Sequence, residues 1–345
     1  MINFWDRLPK PIIALAPMAG YTDSAFRLIC RQMGADVVYS EMMSVDAICY
    51  QNKKTLDMLR FNRAECPLVL QLFGNKPRKF SQAIDLIYKQ IKNKKLFKPD
   101  EPSGSGLSPD PLGNNSRPEE SLPIGIDINF GCPAHKVFKN GSGAALMDQI
   151  DRAYEIITAV STKSEFPISI KIRTKVRNTT AIEFINKIKK LDFKAVMIHG
   201  RSLKQGFNGE IDLKMIKKIK QIIPDKIVLA NGGIDSAEKS KNIMDKTKAD
   251  GIGIGRESWG NPWIFESLKH VDTKAFNHRN IDWGDKKKVI LKQAELFLEY
   301  NDNLVPLRKH LVHYFKGQKN ASLIRNRIIK VKTMDELKQV LAEVK

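Results

Sequence analysis

Cysteine is scarce in this chain of 345 residues, and the four present (Cys30, Cys49, Cys66 and Cys132) share no CxxC or other metal-ligand spacing. That argues against a disulfide framework, which a chain long enough to bury a full core does not need, and against a metal centre held by thiolates. No run approaches the roughly 20 apolar residues of a membrane-spanning helix, and the opening MINFWDRLPKP lacks the apolar stretch of a secretory signal. A cytoplasmic protein with no membrane contact and no metal is expected. Acidic residues are also few: 38 Asp and Glu face 58 Lys and Arg, a formal net charge of +20. Such a field favours a polyanionic partner, nucleic acid above all. The blander source of that charge is lysine scattered along helices, as at Lys187, Lys189, Lys190 and at Lys217, Lys218, Lys220.

What is present is an alternation. Short aliphatic runs recur at Ile12–Met18, Val37–Met42, Leu68–Phe73, Ile124–Phe130, Ile168–Arg173, Ala195–Gly200, Ile227–Gly232 and Gly251–Arg256, each followed by a segment of helical periodicity. Eight βα units predict an α/β fold, a (β/α)8 TIM barrel over residues 1–270. A doubly wound sheet would place GxGxxG after its first strand, where this chain has Ala16-Pro17-Met18-Ala19-Gly20. A Pro/Ser/Gly-rich acidic insertion, about 99–121, interrupts the third and fourth units and cannot bury a core. Residues 281–345 read as a small all-helical C-terminal domain, with helices at Lys286–Tyr300, Pro306–Phe315 and Asp335–Val344. Between Arg308 and Lys332 stand eight Lys or Arg and no Asp or Glu. A solvated helix face normally mixes both signs, so this stretch reads as an RNA-backbone surface. Arg308, Lys309, His310, Lys316, Arg325 and Arg327 are its candidate contacts.

Active sites of such barrels lie at the C-terminal strand ends. Here those ends carry Pro17-Met18-Ala19, Glu41, Gln71, Asn129 with Cys132, Lys171 with Arg173, His199 with Arg201, Asn231-Gly232-Gly233 and Gly255-Arg256. The glycine turns after strands seven and eight offer bare backbone amides where many barrels bind phosphate, and Arg256 would complete an anion site. Taken alone, each motif could be no more than a tight βα turn. Lys171 alternates with Ile170 and Ile172, which points its ammonium into the barrel mouth; there it calls for a negatively charged cofactor or for an ion pair with Glu41 or Asp127. Cys30, Cys49 and Cys66 read as small buried hydrophobes.

The ordered set Ala16–Asp23 with Phe26-Arg27, Ser40-Glu41-Met42, Gln71–Gly74, Asp127–Pro133, Lys171–Arg173, His199–Arg201, Asn231–Gly233, Gly255-Arg256 and Gly260–Trp263 resembles the tRNA-dihydrouridine synthases, nearest the B-type bacterial branch. The resemblance implies that FMN is bound by Pro17, Met18, Ala19, Gln71, Lys171, His199, Asn231, Gly232, Gly233, Gly255 and Arg256, and that NADPH (or NADH) is the reductant. It makes Cys132 the catalytic acid and sets Asn129 beside flavin and substrate, with Arg173 and Arg201 expected on the substrate side of the rim. Two departures stand out: the 99–121 insertion, and Gly233 where the family more often has an acidic or amide side chain.

The implied chemistry is flavin-dependent reduction of specific uridines in tRNA, with hydride to C6 and a proton to C5. A thiol with an unperturbed pKa near 8.5 is protonated at neutral pH yet able to acidify an enolate. The uridine would have to leave its stack to reach the flavin. Rival readings are a small-molecule flavin oxidoreductase on the same barrel, the same reaction on ribosomal RNA, and an RNA-binding protein without chemistry. A monomer is expected.

Overall fold

The computed structural model describes residues 3–93, 122–269 and 281–344. Eight strands form one closed parallel barrel: β1 (Ile12–Leu15), β2 (Val37–Tyr39), β3 (Leu68–Phe73), β4 (Ile124–Asn129), β5 (Ile168–Arg173), β6 (Ala195–His199), β7 (Ile227–Asn231) and β8 (Gly251–Ile254). β8 pairs with β1 in the register Ile12↔Gly251, which closes the ring. The fold is the expected TIM barrel. The helices that follow the strands are α1 (Ser24–Gln32), α2 (Val45–Cys49), α3 (Pro77–Lys92), α4 (Ile150–Lys163), α5 (Ala181–Ile188), α6 (Leu213–Ile222), α7 (Ala237–Thr247) and α8 (Ile264–Lys269).

Alternation along each strand separates two cores. Ile124, Ile126 and Ile128 of β4 and Ile168, Ile170 and Ile172 of β5 join the apolar layer shared with the helices. The barrel interior holds a second cluster, including Ile12, Ala14, Val37, Val69, Ala195 and Met197, and Phe4 and Trp5 of the N-terminal turn plug its floor. Gly125 belongs to this plug, since a Cβ there would meet the Phe4 ring at 3.2 Å. Polar side chains gather above this cluster, from Ser169 and Asp127 in the strands' middle up to the C-terminal strand ends.

β1 ends at Leu15 and β8 at Ile254, short of the runs expected from sequence. Features not foreseen include the two-residue strand Met43–Ser44, the short helices Lys53–Asp57 and His135–Lys139, the small hairpin Lys175–Val176 with Thr179–Thr180, and helix Ala321–Ile328. The insertion at 99–121 lies outside the described residues.

The C-terminal helices are α9 (Trp283–Leu298), α10 (Arg308–Leu311, flanked by 3-10 turns), α11 (Ala321–Ile328) and α12 (Met334–Ala342). Side-chain caps set their starts: Asp282 accepts from Asp285 N, and Thr333 and Glu336 form a reciprocal capping box. Their apolar faces share a core with Ala25, Leu28 and Ile29 of α1 and with Trp263. At the joint, Gly260 adopts a left-handed φ of +64°, and a Cβ there would collide with the His313 backbone.

One expected RNA contact is corrected here. His310 is only 3% exposed. Its Nε2 lies 3.2 Å from Asp23 Oδ2, and its Nδ1 lies 3.3 Å from Gln293 Nε2, whose Oε1 accepts from the Tyr314 hydroxyl at 2.7 Å. The imidazole bridges barrel and helices; burial removes it from any RNA surface.

Candidate active site

Strand register sets the site. Asn129 pairs with Lys171, Arg173 with His199, and His199 with Asn231, so the polar ends of β4 to β7 stand at adjoining positions around the rim. Above them opens a cavity of about 470 Å³, within the usual range for cofactor sites. Of the strand-end residues named above, Pro17, Met18, Ala19, Gln71, Asn129, Cys132, Lys171, Arg173, His199, Arg201, Asn231, Gly232, Gly233, Gly255 and Arg256 line it, whereas Glu41 does not and instead accepts from the Gly20 amide.

The side chains are held from below. Lys171 Nζ donates to Asn231 Oδ1 at 3.2 Å, while Asn231 Nδ2 donates to Gly253 O at 2.8 Å. Lys171 therefore has a neutral partner, and neither Glu41 nor Asp127 forms the ion pair weighed from sequence. Burial, reinforced by Arg173, pulls its pKa down to about 8. Arg173 donates from Nε to Gly131 O (2.8 Å) and from Nη1 to Ser202 O (3.1 Å) and Gly206 O (3.0 Å). Burial and the cations Lys171, Arg173, Arg201 and Arg256 push His199 down to about 2, so its ring is neutral. Among the described residues, a cavity that gathers four cations against the single carboxylate of Glu257 suits an anion.

Gly232 (φ +122°) and Gly233 (φ +61°) turn the chain back after β7. A Cβ would come to 2.9 Å from His199 Cδ2 at the first and 3.0 Å from Arg201 Nη2 at the second. Glycine lets the backbone amides lie bare against imidazole and guanidinium. The left-handed φ of Gly233 is one that Asn and Asp tolerate best among other residues.

Cys132 sits on the turn after β4, half-buried at the cavity wall. Burial raises its thiol pKa, against the opposing influence of the Ala134 amide, Arg173 and Lys171, which keeps the thiol protonated at neutral pH. Cys30 and Cys66 are fully buried as expected, whereas Cys49 is partly exposed.

Among residues that sequence reasoning did not single out, Phe207, Tyr21, Met42 and Trp259 also line the cavity. Phe207 is 52% exposed and lies 4.5 Å from the Arg256 guanidinium carbon. Its position between Gly206 and Gly209 was the available signal. Tyr21 and Trp259 stack at 4.0 Å, and the exposed Lys309 reaches over Tyr21 at 5.6 Å, which brings that expected RNA contact to the cavity's edge. Lys316 and Arg325 are exposed elsewhere on the helical unit. Arg327 pairs with Glu343, and Arg308 donates to Val331 O (2.6 Å) and Lys330 O (2.9 Å). Among the described residues no group of three or more His, Cys, Asp or Glu could hold a metal, and no helix is long and apolar enough to cross a membrane.

A family model described as dihydrouridine synthase matches residues 14–92 and 113–345. The chain belongs to the dihydrouridine synthase family. A probable tRNA-dihydrouridine synthase of Aquifex aeolicus is 28% identical over 97% of this chain and 96% of its own length. One from Helicobacter pylori is 30% identical over 96% of this chain and 90% of its own. A tRNA-dihydrouridine synthase B of Pasteurella multocida is 31% identical over 89% of this chain and 85% of its own. Further relatives bearing the B designation match over most of the chain, in agreement with the B-type resemblance.

Proposed function

We propose that this protein reduces uridines of tRNA to 5,6-dihydrouridine, with FMN in the barrel mouth and NADPH (or NADH) as the electron source. The observation that carries the reading is the cationic cradle beside a protonated thiol: Lys171, Arg173, Arg201 and Arg256 around one cavity, with Cys132 on its wall. The residues present fit FMN. Bare amides at Gly232, Gly233 and Gly255 beside Arg256 suit its phosphate. Lys171, drawn from water and bonded to a neutral amide, suits the negative charge that reduced flavin carries around N1 and C2=O.

When bound and reduced by the nicotinamide, FMN would supply a hydride to C6 of the uracil. Cys132 Sγ–H holds the proton that C5 receives, leaving a thiolate that Arg173 and Lys171 stabilise. Asn129, Arg173 and Arg201 border the space where the base would lie. The uridine must be extruded to enter, and the helical unit at 281–345, with Lys309 at the rim, would grip the RNA around it.

The test is mass-spectrometric nucleoside analysis of tRNA lacking dihydrouridine, after incubation with the protein, FMN and NADPH. A gain of about two mass units on particular uridines, from two added hydrogens, is expected. A yellow protein that oxidises NADPH but leaves the tRNA unchanged would move the assignment to a small-molecule reductase or another RNA.

A further inference from the structure

Asp127 stands on β4 two residues before Asn129, wholly buried beneath the cavity. It does not line the cavity, and none of the chemistry above uses it. Its carboxylate is nevertheless the base of a continuous chain of hydrogen bonds. Oδ1 accepts from Ser169 Oγ on β5 at 2.6 Å, and Oδ2 accepts from Gln71 Nε2 on β3 at 2.7 Å. Gln71 Oε1 accepts from Asn129 Nδ2 at 2.9 Å. Asn129 Oδ1 then accepts from two backbone amides, Gly131 N at 3.0 Å and Cys132 N at 2.8 Å.

Each amide side chain here could in isolation sit either way round, since its oxygen and nitrogen ends have the same shape. The two ends of the chain remove that freedom. An ionised carboxylate only accepts, so Gln71 must turn its nitrogen toward Asp127 and its oxygen toward Asn129. Backbone N–H groups only donate, so Asn129 must turn its oxygen toward the Cys132 turn. We infer that Asp127 is a positioning residue, whose carboxylate sets the direction of an amide relay that holds the Cys132 turn and leaves N–H donors facing the cavity.

Asn129 Nδ2 lies 3.6 Å from Met42 Sδ, a cavity-wall atom, and its second hydrogen has no stronger acceptor there. The wall formed by β3 and β4 therefore offers N–H, and it selects a ligand that presents carbonyl oxygen. Flavin and uracil both do. The consequence for uridine reduction rests on the function proposed above; the relay itself does not.

The test compares Asp127→Leu, which keeps the approximate volume and removes the acceptor, with Asp127→Asn, whose Oδ1 can still accept from Gln71 while its nitrogen donates to the Ser169 hydroxyl. The readout is peptide-resolved iodoacetamide alkylation of Cys132 in the full chain as purified, with Cys49 as internal reference. Freed from Asn129, the turn exposes the thiol, and Asp127→Leu should be alkylated about tenfold faster at about pH 8, the change produced by one unit of thiol pKa. Asp127→Asn should match the wild type. Wild-type alkylation in Asp127→Leu, or equal acceleration in both variants, overturns the inference. Should Asp127→Leu fail to fold, Gln71→Leu cuts the same relay one link further on; acceleration there supports it and an unchanged rate overturns it. A wild-type protein that reduces no uridine overturns the proposed function alone, because alkylation is read without turnover.

Discussion

Single side chains decide the chemistry, and two of them can be tested separately. Cys132 is the proposed acid, and its burial at the cavity wall raises the thiol pKa. Cys132→Ala should bind FMN with an unchanged visible spectrum yet lose about 10²–10⁴-fold in uridine reduction, the usual contribution of a general acid; full turnover in that variant would remove Cys132 from the role. Lys171 makes a different demand. Its pKa is pulled down to about 8, so the ammonium is charged below that value and neutral above it. An anionic ligand binds the charged form more tightly, so between about pH 7, where the FMN phosphate is already a dianion, and about pH 8 the affinity should be nearly constant, and it should fall as the pH rises further. Linkage limits the fall to about tenfold per pH unit for one proton. Fluorescence titration of FMN across this range checks it, and Lys171→Met should give a weaker affinity with that fall abolished.

At the scale of elements, the joint between barrel and helices is made by residues with no spare room. Gly260 holds a left-handed turn against the His313 backbone, and Asp23 caps α1 through Oδ1 while its Oδ2 faces His310. Gly260→Ala should lower stability by about 1–3 kcal/mol from backbone strain alone, measured as a reduced melting temperature; a wild-type melt would mean that the helical unit can shift at little cost. These contacts also mark where the sequence stopped being informative. The eight strands were legible because each is a short aliphatic run before a helical period, and the rim residues because they interrupt those runs with polar groups. His310 was misread because a basic stretch of chain does not reveal which of its side chains turns inward: its partners Asp23 and Gln293 lie 287 and 17 residues away along the chain. Asp127 was weighed from sequence as an ion-pair partner for Lys171 and not as the base of a relay, since that role depends on β3 and β5 closing on either side of β4. Helix α11 has too little apolar periodicity of its own, with Ile328 its buried residue.

For the whole molecule, the net charge of +20 becomes specific only when its cations are sorted by what they already hold. Arg308 is committed to the carbonyls of Val331 and Lys330, and Arg327 to Glu343, whereas Lys309 and Lys316 are exposed and Arg325, also exposed, donates through Nε to Ala321 O within its own helix. If tRNA is held through its phosphates, the logarithm of the association constant should fall linearly with the logarithm of salt concentration, by roughly 0.7–0.9 for each phosphate contacted. Substituting Lys309, Lys316 or Arg325 by Ala should each reduce that slope by about 1 where the side chain meets a phosphate, without moving the melting temperature. Arg308→Ala should do the reverse, lowering the melting temperature as the part-buried Val331 carbonyl and the exposed Lys330 carbonyl lose their donor while the slope stays near the wild-type value. Filter-binding titrations at several salt concentrations, run beside thermal melts of the same variants, read both quantities. A slope of zero in the wild type would mean that the basic surface does not grip RNA electrostatically, and a slope lost in Arg308→Ala but kept in the lysine variants would mean that the helical unit presents a different face to its substrate.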